Sequence, residues 1–372
     1  MKISILQQDL LPALQAVSRS VGVKVALPVL ANVLLQCQKG KLTLSATNLE
    51  IGVIKQVNCK VQEEGEVTVP ARTFLEIISA LPAEEITLES NEAQLKVSTK
   101  SFNATLNGIS ATEFPAIPTS SENSILIPSQ PLQHALEEIT FAAAVDEGRP
   151  ILTGILTQVK NNILELVATD GFRLAHKSVS IKTDGKSSLS CLIPRRTFEE
   201  VVRIISEDLK DEAEEKVEIS TSENQNQMVF KLGQTIISSR LIEGQFPAWE
   251  KIIPTNFENR TVVDRAELLK AAKLATVFSR NEANIIKIQT LDSKLKISSE
   301  AKQLGSQETE LEAQTAGEEI SIAFNGKFLI DALSSCPTSQ LSVEFSGNLS
   351  PALIKPIGED GLEYVIMPIR LS

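Results

Sequence analysis

Histidine, tyrosine, tryptophan and paired cysteine are all but missing from this chain. His134 and His176 are the only imidazoles in 372 residues, which leaves few groups for acid–base chemistry near neutral pH. Cys37, Cys59, Cys191 and Cys336 stand apart with no C-x-x-C pair. A zinc site is therefore not expected, and the four thiols read as small buried hydrophobes in a reducing compartment. No run approaches the roughly 18 apolar residues of a membrane span. The opening Met1-Lys2-Ile3-Ser4-Ile5 enters a strand-like alternation instead of a signal peptide, so a cytoplasmic protein with no membrane partner is expected. The glycine-rich phosphate and dinucleotide loops, H-E-x-x-H and G-x-S-x-G are all absent, so neither a cofactor nor a catalytic residue is expected. Positive charge is also short: 36 Lys and Arg face 47 Asp and Glu, a net −11. That balance argues against a broad basic face gripping nucleic acid.

What the chain does have is threefold repetition. A strand runs into an amphipathic helix three times, carrying Leu10/Leu14/Val17, Leu132/Leu136/Ile139 and Leu268/Ala272/Ala275. Each trio sits at i, i+4, i+7, one stripe of a helix facing a core. A second strand-to-helix passage follows in each copy: Val69-Pro70-Ala71-Arg72-Thr73-Phe74, Ile193-Pro194-Arg195-Arg196-Thr197-Phe198, and Phe324-Asn325-Gly326-Lys327-Phe328-Leu329. Arg72, Arg196 and Lys327 fall in one register there. The copies close on Phe114-Pro115, Phe246-Pro247 and Met367-Pro368. Three markers in one order at intervals of roughly 120 to 135 residues predict three domains, 1–120, 121–254 and 255–372.

Between the helices lie hairpin-linked strands, such as 33–37 with 42–44 and 155–159 with 164–167. The fold class is α+β, three repeated domains, each with two helices packed on antiparallel sheets. The acidic run from Glu207 to Glu218 reads as a solvated surface loop. Ala168-Thr169-Asp170-Gly171-Phe172-Arg173-Leu174 is the most conspicuous short motif. It reads first as a tight turn, with Gly171 supplying a positive φ, and Ala46-Thr47-Asn48-Leu49-Glu50 repeats it in the first copy. Two alternatives stand beside a non-catalytic role. One is an enzyme using Asp170, His176 and Arg173 on a small anion. The other is a peptide-binding scaffold of several domains that closes no ring.

These repeated segments resemble the beta subunit of bacterial DNA polymerase III, the sliding-clamp family. The likeness spans all three copies. It is carried by Val69 to Phe74, Ala168 to Leu174, Glu243-Gly244-Gln245-Phe246-Pro247, and Val365-Ile366-Met367-Pro368-Ile369-Arg370-Leu371. It implies the DNA clamp fold, and a head-to-tail homodimer forming a six-domain ring around double-stranded DNA. It implies a processivity factor with no catalysis of its own. Its partners would be the replicative polymerase catalytic subunit, an ATP-dependent clamp loader, and other polymerases and repair proteins that dock through short peptides. A ring held by topology also answers the charge objection, since tight phosphate contacts would impede sliding.

The resemblance also assigns residues. Lys24, Arg72, Arg149, Arg195, Arg196, Arg280 and Lys327 would face DNA, three of them at helix N-termini that favour phosphate. A partner peptide would enter an apolar pocket of Leu152, Thr169, Gly171, Phe172, Arg173, Leu174, Pro247, Val365, Met367, Pro368 and Ile369. Thioether and aliphatic linings suit several partner sequences. Leu106 on one side and Val277 with Phe278 on the other would meet at the dimer interface.

Overall fold

A computed structural model describes residues 1–22, 27–119, 124–146, 148–181, 188–209, 215–222, 226–280 and 283–370. Lys24 and Leu371 lie outside them. The first copy runs β1 (Lys2–Leu6), α1 (Gln7–Ser18), β2 (Asn32–Gln38), β3 (Lys41–Thr47), β4 (Ile51–Asn58), β5 (Lys60–Glu63), β6 (Gly65–Pro70), α2 (Ala71–Ala80), β7 (Glu85–Asn91), β8 (Gln94–Ser98) and β9 (Asn103–Asn107). The second runs β10 (Ser124–Pro128), α3 (Ser129–Ile139), β11 (Gly154–Lys160), β12 (Ile163–Thr169), β13 (Arg173–Ser180), β14 (Leu189–Pro194), α4 (Arg195–Asp208), β15 (Lys216–Thr221), β16 (Gln227–Leu232) and β17 (Thr235–Arg240). The third runs β18 (Asn259–Asp264), α5 (Arg265–Ser279), β19 (Ile285–Leu291), β20 (Lys294–Ala301), β21 (Gly305–Gly317), β22 (Ser321–Asn325), α6 (Gly326–Ser335), β23 (Gln340–Phe345), β24 (Ala352–Pro356) and β25 (Leu362–Ile366).

The repetition is thus one of topology as well as of sequence. Each copy has a first strand leading into a helix, a three-strand meander, a strand returning into a second helix, and a closing three-strand meander, and the first copy adds the short β5, which pairs with β1. Among the described residues every pairing is antiparallel. The first-helix stripes predicted from sequence are buried throughout, and a fully buried leucine contributes about 2 kcal/mol. α1 packs on α2, β3 and β4, and α5 packs on α6, β20 and β21.

The sheets run past the copy boundaries. One carries the order β10-β15-β16-β17-β4-β3-β2-β6, and another β14-β11-β12-β13-β25-β24-β23-β18-β21-β20-β19-β22. A third is β5-β1-β7-β8-β9. By compactness the chain divides into Met1–Ser129 with Glu200–Leu241, and Gln130–Glu199 with Ile242–Ser372. The central copy therefore gives its closing meander to the first unit and its inner meander to the second.

Two expectations need correction. The acidic run is not one loop, because Glu207 and Asp208 end α4 and Lys216 to Glu218 belong to β15. Both helical carboxylates are engaged, Glu207 with Arg19 at 3.0 Å and Asp208 with Lys55 at 2.7 Å. Local charge density suggested a loop, but long-range ion pairing gives these acids a place in a helix. Cys37 and Cys336 are buried as expected, whereas Cys59, between β4 and β5, and Cys191, within the outer strand β14, are half-buried.

Candidate functional site

The Thr169–Arg173 turn is built by its own side chains. Thr169 Oγ1 donates to the Arg173 carbonyl at 2.6 Å and accepts from the Gly171 amide at 3.0 Å. Asp170 Oδ1 accepts from the amides of Phe172 and Arg173 at 2.8 and 3.0 Å. Gly171 has φ +89°, and a Cβ there would sit 3.0 Å from Arg149 Nη1. Thr47 and Asn48 make the same bonds in the first copy. The turn reading of the motif holds, and Asp170 is occupied in shaping it.

Arg173 is a brace. Its Nε meets Asp170 at 3.1 Å, Nη1 meets Asp331 of α6 at 2.6 Å, and Nη2 donates to the Phe141 carbonyl at 2.8 Å. The guanidinium also stacks against the Phe141 and Phe328 rings, 5.1 and 4.7 Å from their centroids. Charge-assisted bonds on three sides fix the wall of the site. Outside that wall Phe172 is 55% exposed and stacks on Phe328 at 6.2 Å. Arg149, expected to face DNA, lies 5.9 Å from the Phe172 ring centre.

The floor is apolar. Leu174 of β13 stands opposite Val365 of β25, and both are buried with Val167, Leu353 and Trp249. Phe246, Ile252, Ile253 and Leu156 pack against this group. Pro247, beside Phe246, is exposed, and Leu152 is half-buried in the 3-10 turn Pro150–Thr153. The chain after β25 continues along the rim, half-buried from Met367 to Ile369. The Met367 amide donates to the Phe172 carbonyl at 2.9 Å and the Ile369 amide to the Ala323 carbonyl at 2.8 Å. Of the pocket residues named from the resemblance, Thr169 to Leu174 share one turn and strand start, Val365 pairs opposite Leu174, and Met367 to Ile369 follow it, whereas Leu152 stands in its own 3-10 turn and Pro247 beside Phe246.

Sequence reasoning missed Trp249 as the lid of that floor, and Phe141, Phe328 and Asp331 as its supports. Trp249 had a usable signal, being the sole tryptophan and two residues past Phe246-Pro247. Asp331 had none, since it lies 158 residues from Arg173. Trp249 rests on His176, ring centres 4.6 Å apart. His176 Nδ1 is 3.5 Å from Glu363 Oε2. His176 and then Lys355 hold the Glu363 carboxyl below its usual range, against the opposing effect of burial.

The cationic positions are spread over the copies. Arg72, Arg196 and Lys327 are each the second residue of the second helix of their copy, and all three are exposed. Arg72 pairs with Glu76 at 3.0 Å and Arg195 with Glu199 at 2.7 Å. Arg280 is exposed just beyond α5. Of the dimer residues, Val277 is 51% exposed and Phe278 half-buried, while Leu106 is largely covered within its own edge strand β9. Among the described residues no cluster of three or more His, Cys, Asp or Glu could hold a metal. No helix among them is long and apolar enough to cross a membrane.

Comparison with known proteins agrees over the whole length. Three family models match in order: the DNA polymerase III beta subunit N-terminal domain over residues 1–118, its central domain over 126–248, and its C-terminal domain over 250–370. The beta sliding clamp of Synechococcus elongatus is 33% identical, with all of both chains covered. That of Staphylococcus aureus is 29% identical over 95% of this chain and 94% of its own. The crystal structure of the Bacillus subtilis DNA polymerase sliding clamp superposes with a TM-score of 0.94 at 26% identity, and that of the Pseudomonas aeruginosa beta subunit with 0.91 at 30%, each covering all of both chains. A threefold-repeated fold, an apolar site around one hairpin turn and these likenesses agree: the chain belongs to the DNA polymerase III beta-subunit family of sliding clamps.

Proposed function

We propose that two copies of the chain, each of domains 1–120, 121–254 and 255–372, close head to tail into a six-domain ring around duplex DNA in the cytoplasm. The ring keeps a replicative polymerase on its template and catalyses nothing itself. The observation that carries this reading is the reuse of one strand joint. Inside the chain β17 pairs with β4, and β25 pairs with β13. In the repeat these are the same two positions: the last strand of one copy against the third strand of the meander between the helices of the copy before it.

The third pair of the series is β9 with the first half of β21. β9 is an outer strand, and Gly305 to Glu312 pair only with β20. Unpaired strand edges invite another chain, and a heterologous contact made twice gives a closed ring. Carrying the internal register across sets Ala104 of one copy opposite Gln307 of the other. Val277 and Phe278 are on α5, which packs against β21, so they supply apolar cover beside that joint, with Leu106 on the facing edge. Engineered cysteines at Ala104 and Gln307 should cross-link two chains, whereas cysteines moved one residue along should not.

The lining is proposed to use Arg72, Arg196 and Lys327, together with Lys24, Arg149, Arg195 and Arg280. Few phosphate contacts suffice, because topology retains the ring and each neutralised phosphate would steepen its salt dependence. The apolar floor around Leu174 and Val365 would take short peptides from polymerases, an ATP-dependent clamp loader and repair proteins. The decisive experiment loads the protein on circular DNA and then linearises it. The protein should be retained on the circle and lost from the linear form, and equal retention on both would sink the ring.

A further inference from the structure

Aligning the three copies by their hairpins sets three side chains in one position. Lys55 of β4 stands opposite Leu44, Lys177 of β13 opposite Leu166, and Thr309 of β21 opposite Ile297. Each is on the strand that forms, or would form, a joint between neighbouring domains. At the first joint Lys55 Nζ lies 2.7 and 2.8 Å from the Asp208 carboxylate, and Thr235 of β17 donates to that carboxylate at 2.9 Å. At the second, Lys177 Nζ is 2.5 Å from Glu359, in the turn between β24 and β25, and 3.0 Å from Glu138 of α3. Both lysines are buried. In each case a lysine from one side of the joint is held by a carboxylate from the other.

The third position breaks the pattern. Thr309 accepts a hydrogen bond from Gln307 of its own strand, and Gln307 Oε1 is buried with no partner among the described residues. Gln307 and Thr309 are half-buried, whereas their counterparts Val53 with Lys55, and Ala175 with Lys177, are buried. A buried charge held by its partner resists separation, because parting the joint takes Asp208 from Lys55 and Glu359 from Lys177, stripping the first of its carboxylate and leaving the second with Glu138 of its own copy in place of two. A neutral pair imposes no such penalty.

We infer that Lys55 and Lys177 lock the two joints inside the chain, and that the joint between copies, left to Gln307 and Thr309, lacks this lock and yields more readily. The part about the joint between copies rests on the ring reading above; the part about the lysines does not. Hydrogen exchange of the full chain, followed by mass spectrometry over β17, β25 and β9, separates the two. Lys55→Met should raise exchange in β17 by about tenfold or more and leave β25 unchanged, and Lys177→Met should do the reverse. Should either methionine variant fail to fold, Asp208→Asn at the first joint and Glu359→Gln at the second give the same comparison with less disruption. Unchanged exchange at the altered joint in folded protein would overturn the lock. In the unaltered chain, β9 should exchange faster than β17 and β25, and faster still on dilution. If β9 is the slowest of the three, the missing lock does not set the weak joint. If dilution has no effect on β9, the ring reading fails while the lysine result stands.

Discussion

The joint of β4 with β17 and the joint of β13 with β25 are one piece of architecture used twice, and only the second carries an apolar site. Both begin with the same side-chain-built turn. At the first, Gly52 occupies the place of Leu174, and Ile117 lies where a side chain would go, its Cγ2 only 2.8 Å from a would-be Cβ. The linker that follows the first copy thus fills its own groove. At the second, Leu174 is present, Val365 stands opposite it where the first joint has Ser238, and Trp249 packs over the pair. The turn tip is Glu50 in one and Phe172 in the other. The strand exit is Arg240 in one and Met367 in the other, each donating its amide to that tip residue. The backbone is common to both, and a handful of side chains decides which joint carries an apolar floor and an exposed aromatic tip.

The largest test of this contrast is Trp249→Ala. Removing a buried tryptophan from a packed floor should cost about 3–5 kcal/mol, read as a lowered urea midpoint with local exchange rising around β13 and β25. Ile117→Ala, its counterpart at the first joint, is only half-buried and should cost about 1–2 kcal/mol. Equal losses would mean that the two linkers do the same job. Next in size is Gly52→Ala. Its new Cβ meets Ile117, so overpacking should lower stability by about 1–3 kcal/mol, and adding Ile117→Ala should restore most of that. A neutral Gly52→Ala would show that the first groove is not filled as described.

Smaller in stability but sharper in function is Phe172→Glu, which gives the second turn the tip of the first. The ring is more than half exposed, so the melting temperature should hardly move. Affinity for a polymerase-derived peptide, measured by fluorescence anisotropy, should fall about tenfold, or about 1.4 kcal/mol. A variant that binds as before would exclude the turn tip from the docking surface.

These contrasts also mark what sequence could carry. The three copies, the buried stripe of each first helix, the Thr169–Arg173 turn and the shared register of Arg72, Arg196 and Lys327 were legible, because each is local: a period of 3.6, a turn chemistry, a fixed offset from a helix start. What escaped depends on partners far along the chain. Asp208 looked like one more acid in a solvated run, since its lysine is 153 residues away. Arg173 was named from its motif, and the Asp331 that holds its guanidinium lies 158 residues away. The pairing of β17 with β4 joins edges whose own sequences say only that they are strands.

The least of the expected effects concerns acid. Glu363 and His176 face each other across the second joint, where the first joint has Ile236 and Ile54. The Glu363 carboxyl is held below its usual range by His176 and Lys355. A carboxyl whose folded pKa is depressed binds fewer protons folded than unfolded. Its contribution is therefore complete above its ordinary pKa and is lost as pH falls through the lower folded value. The pair is partly solvated, so the amount is under about 1 kcal/mol. Glu363→Gln should accordingly be slightly less stable than the unaltered chain at pH 7, with the gap narrowing as the pH is lowered below about 4. Urea denaturation at several pH values measures this directly. A gap that widens on acidification would mean that the neutral acid, not the carboxylate, is the form the second joint prefers, and that the polar pair beneath Trp249 works against the floor it lies under.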